Sequence, residues 1–304
     1  MLYNLDLHTH LLKNRQSAKK YWRYVCDKGL LGTAITEYST DNPKKAYFKL
    51  LSKKPKDLVL IPGVKIKTDS GDVLLYSKSP DIYEYSIIYE EDVSIKRLID
   101  FANKKDYLIS IAYPFGLLSN SATYILGLDK LEKLIKSKKI GVEAYTGTIG
   151  YLSYYMFDSF FLRKLRQILD YFKLQHFFRS IGLSAVSDYF TRTLDQKSYD
   201  MVYKFEAAIK LGKMAKYITA GSASYNVQGI GSGVLTLDVP KYILSDDDII
   251  KINGFILNKI KHKKIKTVGP PGNYTDVLFQ RSTDRKTKVR AYKDLIYLTQ
   301  RSVK

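Results

Sequence analysis

The residues with the clearest capacity for chemistry are Asp6, His8 and His10, which alternate at the end of an apolar opening segment. Alternate side chains of a β-strand point to the same face, so these three groups are predicted to stand together. Imidazoles and a carboxylate at this spacing are typical ligands of a transition metal. The chain has only two other histidines, His176 and His262. A centre with several metal ions would therefore need carboxylates for most of its ligands.

The remaining histidines and the single cysteine have simpler interpretations. His176 lies in an aromatic segment, which is typical of core packing, and His262 lies among lysines, which is typical of a solvent-exposed residue. Cys26 is the only cysteine, which excludes a disulfide framework and a cysteine-rich zinc site. The chain opens on a strand pattern, and no run reaches the roughly 18 apolar residues of a membrane-spanning helix. We therefore expect a cytoplasmic protein without a membrane segment.

The charge balance predicts an anionic partner. The chain has 50 Lys and Arg against 30 Asp and Glu, a net charge of +20, and residues 251–304 hold 14 Lys and Arg against three Asp. A field of this kind attracts polyanions such as nucleic acid. The excess consists mostly of lysine, which also fits an ordinary lysine-rich surface and does not favour bidentate recognition of bases. The sequence therefore predicts polyanion binding without sequence-specific readout.

Alternating strand and helix patterns must position these residues. Short β-branched runs predict strands at 2–8, 33–36, 58–67, 108–113, 141–145, 183–188 and 217–220. Amphipathic stretches predict helices near 17–28, 94–103, 128–138, 160–181 and 197–216. Seven βα units predict a parallel α/β barrel over residues 1–240, with a basic segment, 241–304, packed on it. Functional residues of such barrels gather at the carboxyl ends of the strands.

Six successive segments at the predicted strand ends resemble motifs of the polymerase and histidinol phosphatase (PHP) family, across nearly the whole chain. The segments are Asp-Leu-His-Thr-His at 6–10, Thr-Glu-Tyr at 36–38, Ile-Pro-Gly-Val-Lys at 61–65, Ala-Tyr-Pro-Phe at 112–115, Gly-Val-Glu-Ala-Tyr at 141–145 and Gly-Ser-Ala-Ser at 221–224. The last segment is similar to the family pattern Gly-Ser-Asp-x-His, and Ile230-Gly231 resembles its trailing Ile-Gly. The resemblance implies a distorted (β/α)7 TIM-like barrel that binds several metal ions and hydrolyses phosphoesters.

Most of the metal ligands that the resemblance implies are replaced in this chain. Glu37 and Tyr38 stand for Asp and His, Lys65 for Glu, Tyr113 for His, and Ala223 and Ser224 for the final Asp and His. A protonated lysine cannot coordinate a metal and repels one that approaches. It can instead take the electrostatic role of the metal by pairing with Asp6, Glu37 or Glu143. The predicted strand-end cleft consists of Asp6, Tyr38, Lys65, Tyr113, Glu143, Ser222 and Ser224.

A reduced metal site is the alternative interpretation. His8, His10 and Glu37 remain usable as ligands, and the strand that ends in Ser-Asp-Tyr-Phe at 187–190 is also similar to the last family motif. That alignment returns Asp188 as a fourth ligand, so that one Zn, Mn or Fe ion could be held with an open water position. If the Gly221 segment is the true equivalent, Asp188 caps the following helix. Both alignments remain open.

An aromatic segment at 151–161 offers a surface for assembly. Its aromatic residues are Tyr151, Tyr154, Tyr155, Phe157, Phe160 and Phe161. Spacings of three and four are typical of a core-facing helix. The same composition is also typical of an interface with a second copy or another protein.

Taken together, these features favour a non-catalytic PHP-like protein that binds a polyanion, either nucleic acid or a phosphorylated ligand, through the strand-end cleft and the basic tail. A metal-dependent phosphoesterase with a mononuclear site is the first alternative. A structural subunit that assembles through residues 151–161 is the second.

Overall fold

The structure is a computed structural model that describes residues 1–12, 17–115, 121–138, 140–147, 207–225 and 227–269. All of these residues belong to one unit, formed by the stretches of chain on either side of residues 149–206. The predicted strand at 183–188, Asp188, His176 and the aromatic segment 151–161 lie outside the described residues.

The sheet is mixed rather than purely parallel. Its strands are β1 (Leu2–Thr9), β2 (Gly32–Ile35), β3 (Val59–Thr68), β4 (Gly71–Tyr76), β5 (Leu108–Ile111), β6 (Gly141–Thr146), β7 (Tyr217–Gly221), β8 (Val234–Asp238) and β9 (Ile265–Gly269). They form one curled sheet in the order β7-β6-β5-β4-β3-β2-β1-β8-β9. Strands β4, β8 and β9 pair antiparallel with their neighbours. The sequence analysis predicted the other six and missed these three, so the regular alternation of parallel βα units was too simple.

Eight helices accompany the sheet in the described part of the chain. They are α1 (Ala18–Asp27), α2 (Pro43–Leu51), α3 (Ile95–Lys104), α4 (Ala122–Leu126), α5 (Leu128–Lys138), α6 (207–214), α7 (Lys241–Leu244) and α8 (Ile249–Lys261). The predictions at 17–28, 94–103 and 128–138 correspond to α1, α3 and α5. None of the described helices is both long and apolar enough to cross a membrane.

The main apolar core lies between the helices and one face of the sheet. It contains buried side chains of α1, α2, α3 and α5 together with alternate residues of β3 and β4. In α3, for example, Ile95, Leu98, Ile99 and Ala102 are buried, which is the spacing of an amphipathic helix. The intervening residues include Lys65 in β3 and Asp72 in β4, so the opposite face of the sheet carries buried charged side chains.

A tight hairpin joins β3 to β4 and fixes the register of two charged residues. Thr68 Oγ1 accepts a hydrogen bond from Ser70 N at 3.1 Å and donates one to Gly71 O at 2.6 Å, while Gly71 adopts a φ of 110°. In this register Lys65 lies opposite Leu74, and Lys67 lies opposite Asp72. Because residues two apart share a face, Asp72 is the diagonal neighbour of Lys65.

The curled sheet brings the end of β7 against β1. His10 N donates to Ser224 O at 3.0 Å, and Ser222 N donates to Asp6 Oδ1 at 2.8 Å. A Cβ atom at Gly221 would lie 2.4 Å from His8 N, so only glycine fits there. The carboxyl ends of β1 and β7 therefore meet, as a barrel-like arrangement requires.

Candidate functional site

Buried polar side chains from β1 to β6 meet near the carboxyl ends of β1, β2 and β5. We call this group the strand-end cluster. It consists of Asp6, His8, His10, Glu37, Tyr38, Lys65, Asp72, Tyr113 and Glu143, which are joined by the contacts described below. The cluster contains five of the seven predicted cleft residues and three of the four predicted metal ligands, and it adds Asp72. The other two predicted cleft residues, Ser222 and Ser224, lie beside it against β1.

Lys65 lies in the middle of the cluster. Its Nζ is 3.4 Å from Asp72 Oδ2, 4.0 Å from the ring centroid of Tyr38 and 4.5 Å from that of Tyr113. The residue is only 1% exposed, so the ammonium depends on these contacts for compensation of its charge. The sequence analysis predicted a carboxylate partner but did not consider Asp72, because it missed β4.

Asp72 is the acceptor on which the neighbouring hydroxyl groups converge. Tyr38 Oη donates to Asp72 Oδ2 at 3.0 Å, and Tyr113 Oη donates to the same oxygen. Burial, reinforced by the negative charge of Asp72, raises the pKa of both tyrosines. The two phenols therefore remain protonated and stabilise the carboxylate.

His8 forms a buried pair with Glu143. Its Nδ1 lies 2.8 Å from Glu143 Oε1, while Glu143 Oε2 accepts a hydrogen bond from Tyr113 N at 2.8 Å. Burial lowers the pKa of His8 well below its ordinary value, and the positive charge of Lys65 lowers it further. Burial also raises the pKa of Glu143 to about 8. His8 is therefore neutral at physiological pH, and its ring orientation is fixed by Glu143.

His10 forms a similar contact with Glu37. The distance between His10 Nδ1 and Glu37 Oε2 is 3.4 Å, and Glu37 Oε1 accepts hydrogen bonds from the backbone amides of Leu11 and Leu12. Burial lowers the pKa of His10 to about 4. Burial alone would raise the pKa of Glu37, but His10 and the two amides outweigh it and lower that pKa overall. Glu37 is therefore ionised beside a neutral imidazole.

Tyr225 is a site residue that the sequence analysis missed. Its ring stacks on His10 with centroids 4.2 Å apart and an interplanar angle of 5°. Counting along Gly-Ser-Asp-x-His from Gly221 places Tyr225, and not Ser224, at the position of the histidine. The assignment of Ser224 to that position was therefore wrong. Tyrosine then stands at each of the three replaced histidine positions of the resemblance, 38, 113 and 225.

Asp6 and Ser222 tie strand ends together. Asp6 Oδ1 accepts from His8 N at 3.2 Å and from Ser222 N at 2.8 Å, and Asp6 Oδ2 accepts from Gly231 N at 2.8 Å. Ser222 Oγ donates to His8 O and accepts from Ser224 N, each at 3.2 Å. Burial raises the pKa of Asp6 to about 6, although the hydrogen bonds from the backbone amides of His8, Ser222 and Gly231 lower it. These groups hold β1 against Ser222 and Gly231.

Two residues at the cluster have left-handed backbone conformations. Tyr113 has a φ of 26° and Ala223 has a φ of 51°. Such conformations are costly for residues other than glycine and persist where the surrounding contacts impose them. At Tyr113 those contacts are the hydrogen bonds of its amide to Glu143 and of its hydroxyl to Asp72.

The donor set does not fit a centre with several metal ions, because the Lys65 ammonium stands among the carboxylates that would bind them. Two atoms nevertheless suit a single ion: His8 Nε2 and His10 Nε2 are buried and make no hydrogen bond, whereas Glu37 Oε2 lies 3.4 Å from His10 Nδ1. Within the described part of the chain, no three His, Cys, Asp or Glu side chains are arranged to surround one ion. Such a site would therefore need these side chains to rearrange.

The chain matches neither the sequence models of known protein families nor any curated protein. The resemblance to the PHP family therefore rests on the order and spacing of its motifs.

A basic turn lies away from the cluster, between α8 and β9. Lys263, Lys264 and Lys266 are exposed there, and His262 is exposed as predicted. The N-terminal amine, with Lys259 and Lys266 nearby, lowers the pKa of Asp238. The first part of the predicted basic tail thus presents lysines to solvent and then enters the sheet as β9.

Proposed function

We propose that this protein is a PHP-like (β/α)7 barrel without a multi-metal hydrolytic centre, and that it binds a polyanion through its basic C-terminal segment. The position of Lys65 carries the first half of the proposal. A buried ammonium within 3.4 Å of a carboxylate and between two tyrosine rings supplies a positive charge where a hydrolase would need metal ions. On this proposal the barrel is retained for binding and not for catalysis.

The basic turn at 262–266 supports the second half. Lys65, His8 and His10 are at most 2% exposed, so a large polyanion has no access to them in this structure. The exposed lysines of the turn offer an accessible surface of positive charge. The sequence of residues 270–304 adds eight Lys and Arg against three Asp. We therefore assign polyanion binding to this segment and not to the strand-end cleft.

Binding of labelled single-stranded and duplex nucleic acid by the full chain, measured over a range of salt concentrations, tests this proposal. Lysine contacts with phosphates should give a dissociation constant that rises steeply with salt, because binding releases counterions. Reversing three charges of the turn, with Lys263→Glu, Lys264→Glu and Lys266→Glu together, should reduce the salt slope by up to about 3. A matched reversal on α2, with Lys44→Glu, Lys45→Glu and Lys49→Glu, should leave the slope unchanged. Salt-independent binding, or equal effects of the two triple variants, would contradict the proposal.

A phosphoesterase with one metal ion is the second candidate function, and the unpartnered Nε2 atoms of His8 and His10 favour it. His8, His10 and Glu37 would hold the ion, which when bound would supply Lewis-acid activation of a phosphate ester. Elemental analysis of the purified protein separates the two candidates. Near-stoichiometric zinc, manganese or iron that disappears in a His8→Ala variant would favour the enzyme.

A further inference from the structure

Exposed apolar side chains lie at the same end of the sheet as the basic turn. Because β8 runs antiparallel to both β1 and β9, the first residues of β1 lie at the end where β8 finishes and β9 begins. Met1 and Leu2 are each 62% exposed there. Val239 N donates to Met1 O at 3.0 Å, and Tyr242, on the short helix α7 that follows, is 72% exposed. We call Met1, Leu2 and Tyr242 the apolar edge.

Lysines flank the apolar edge. Asp238 is the pairing partner of Leu2, and Lys259 and Lys266 both act on it to lower its pKa. The basic turn therefore lies beside the first residues of β1. The exposed lysines at this end are Lys241, Lys263, Lys264 and Lys266.

Most carboxylates at this end are engaged within the protein. Asp238 Oδ1 lies 2.6 Å from the N-terminal amine, and Asp246 pairs with Lys251. Asp248 Oδ1 accepts hydrogen bonds from the first amides of α8, at 2.8 and 3.2 Å. Asp247 is exposed, but the exposed lysines outnumber it. The surface around the apolar edge is therefore positively charged.

We propose that the apolar edge and the lysines around it form a peripheral docking surface for an anionic lipid bilayer. Leu2 and Tyr242 enter the headgroup region, and the lysines contact the anionic headgroups. This inference rests on the proposed function, because the same basic turn supplies the electrostatic contact. It adds the chemical class of the anionic partner.

The composition of the apolar edge favours a bilayer over nucleic acid. Nucleic acid offers phosphates to lysines, and its exposed bases stack on aromatic rings such as that of Tyr242. The aliphatic side chain of Leu2 has no such partner there, whereas at a bilayer it leaves water for the boundary of the acyl chains. Tyrosine is also favoured at this interface, because its ring is apolar and its hydroxyl is polar.

Vesicle binding by the full chain tests the inference. Vesicles of phosphatidylcholine alone are compared with vesicles of equal parts phosphatidylcholine and phosphatidylserine, and bound protein is measured by flotation over a range of salt concentrations. The apolar-edge variant combines Leu2→Thr with Tyr242→Ser and leaves every lysine in place. Its matched control combines Leu128→Ser with Tyr124→Ser, because Tyr124 is 74% exposed on another short helix, α4. Thermal unfolding checks that each variant is folded.

The wild-type chain should bind the anionic vesicles, more weakly as salt rises, and should not bind the neutral ones. The apolar-edge variant should bind the anionic vesicles at least about tenfold more weakly, because removing a leucine side chain from water is worth about that factor or more. The matched control should bind as wild type. Reversal of the turn lysines, with Lys263→Glu, Lys264→Glu and Lys266→Glu together, should weaken binding about a hundredfold or more, at about fivefold per lysine.

Wild-type protein that does not bind anionic vesicles would overturn the inference, and so would equal binding by wild type and the apolar-edge variant. Nucleic-acid affinity that falls by the same factor as vesicle affinity in that variant would assign the surface to nucleic acid instead. If the double variant does not fold, Tyr242→Ser alone against Tyr124→Ser alone gives the same comparison. A turn reversal that weakens binding of neither nucleic acid nor vesicles would contradict the proposed function, whereas an apolar edge without effect would contradict only this inference.

Discussion

The Lys65 ammonium and the Asp72 carboxylate form a buried ion pair on one face of the β3–β4 hairpin, with 3.4 Å between Nζ and Oδ2. The register of the hairpin makes the two residues diagonal neighbours. Asp72 also accepts hydrogen bonds from Tyr38 and Tyr113, so the loss of Asp72 would leave an ammonium and two hydroxyl groups without this acceptor. The pair is therefore a central determinant of stability at the strand-end cluster.

Replacement of Asp72 by alanine should strongly destabilise the fold. Breaking a buried pair from one side leaves an uncompensated charge, which costs about 3–5 kcal/mol. Urea unfolding measures this loss. The control is Asp92→Asn, which removes the charge of the exposed pair with Lys67, keeps a residue type that tolerates the φ of 47° there and should cost no more than about 1 kcal/mol. Similar losses in the two variants would show that the Lys65–Asp72 pair is not compensated as the structure indicates.

Replacement of both members of the pair by apolar residues should recover much of that loss. Lys65→Met with Asp72→Leu removes both charges at once, and such replacements of buried ion pairs are often neutral or stabilising. The double variant should therefore be more stable in urea than Asp72→Ala. A double variant that is as unstable as the single one would mean that the tyrosine hydroxyls dominate the energetics of Asp72.

The raised pKa of Glu143 predicts that stability falls as the pH rises toward 8. The folded protein keeps a proton on Glu143 up to a pKa of about 8, whereas an ordinary glutamate releases it near 4.5. The folded state then binds more protons than the unfolded state, so the free energy of unfolding decreases with pH in this interval. His8 and His10 have lowered pKa values, so they take up protons on unfolding only below about pH 6.5, where they oppose this trend. Above that pH the free energy of unfolding should fall by about 1.4 kcal/mol per pH unit.

Urea unfolding between pH 6.5 and 8 measures this slope. Glu143→Gln keeps an acceptor for Tyr113 N but cannot titrate, so this variant should show a flatter profile. The exposed-site control Glu84→Gln should retain the wild-type slope, because Glu84 lies on the surface beside Lys44. An unchanged slope in Glu143→Gln would assign the pH dependence to another group.

The close approach of β7 to β1 predicts opposite effects of the same substitution at two glycines. A Cβ at position 221 would lie 2.4 Å from His8 N, so Gly221→Ala should cost about 1–3 kcal/mol or more. At Gly254 in α8 the nearest atom to a new Cβ is Lys78 Cδ at 3.7 Å, and alanine favours the helix. Gly254→Ala should therefore stabilise the protein by up to about 1 kcal/mol in thermal unfolding. A tolerated Gly221→Ala would contradict the contact of β7 with β1.

The left-handed conformation of Ala223 predicts a stabilising substitution. Glycine adopts a φ of 51° without the penalty of a Cβ atom, so Ala223→Gly should raise stability by up to about 1 kcal/mol. Ala144→Gly is the control, because Ala144 is buried in β6 and glycine weakens a strand interior. The control should be destabilised in the same thermal assay. If Ala223→Gly is destabilised as well, the methyl group of Ala223 contributes packing that outweighs the strain.

Local pattern was sufficient to predict the strands that follow one another through βα units. β1, β3 and β6 lie within one or two residues of their predicted bounds, because β1 alternates apolar with polar residues and the other two contain β-branched apolar residues. β4 was missed because it follows β3 through a very short turn, although Ser70-Gly71 is itself a hairpin signal. β9 lies directly after a lysine run, and only its pairing with β8 identifies it as a strand.

The composition of the site was predictable in part. The sequence placed Lys65, Tyr38 and Tyr113 together by their positions at strand ends, and the structure brings them into contact. It did not predict Asp72, whose place depends on the register of a hairpin, or the ring stack of Tyr225 on His10, which depends on a loop conformation. Contacts between neighbouring strand ends follow from the strand order. The contacts of Asp72 with Lys65 and of Tyr225 with His10 depend on tertiary packing.

Regular elements hold the basic turn at 262–266, since α8 ends at Lys261 and β9, which carries Lys266, begins at Ile265. The backbone that bears these lysines is therefore ordered before a polyanion binds. An incoming polyanion would not have to order the chain there, so the entropic cost of association falls mainly on the flexible lysine side chains. Encounter should then be fast and governed by ionic strength, without a folding step that limits the rate.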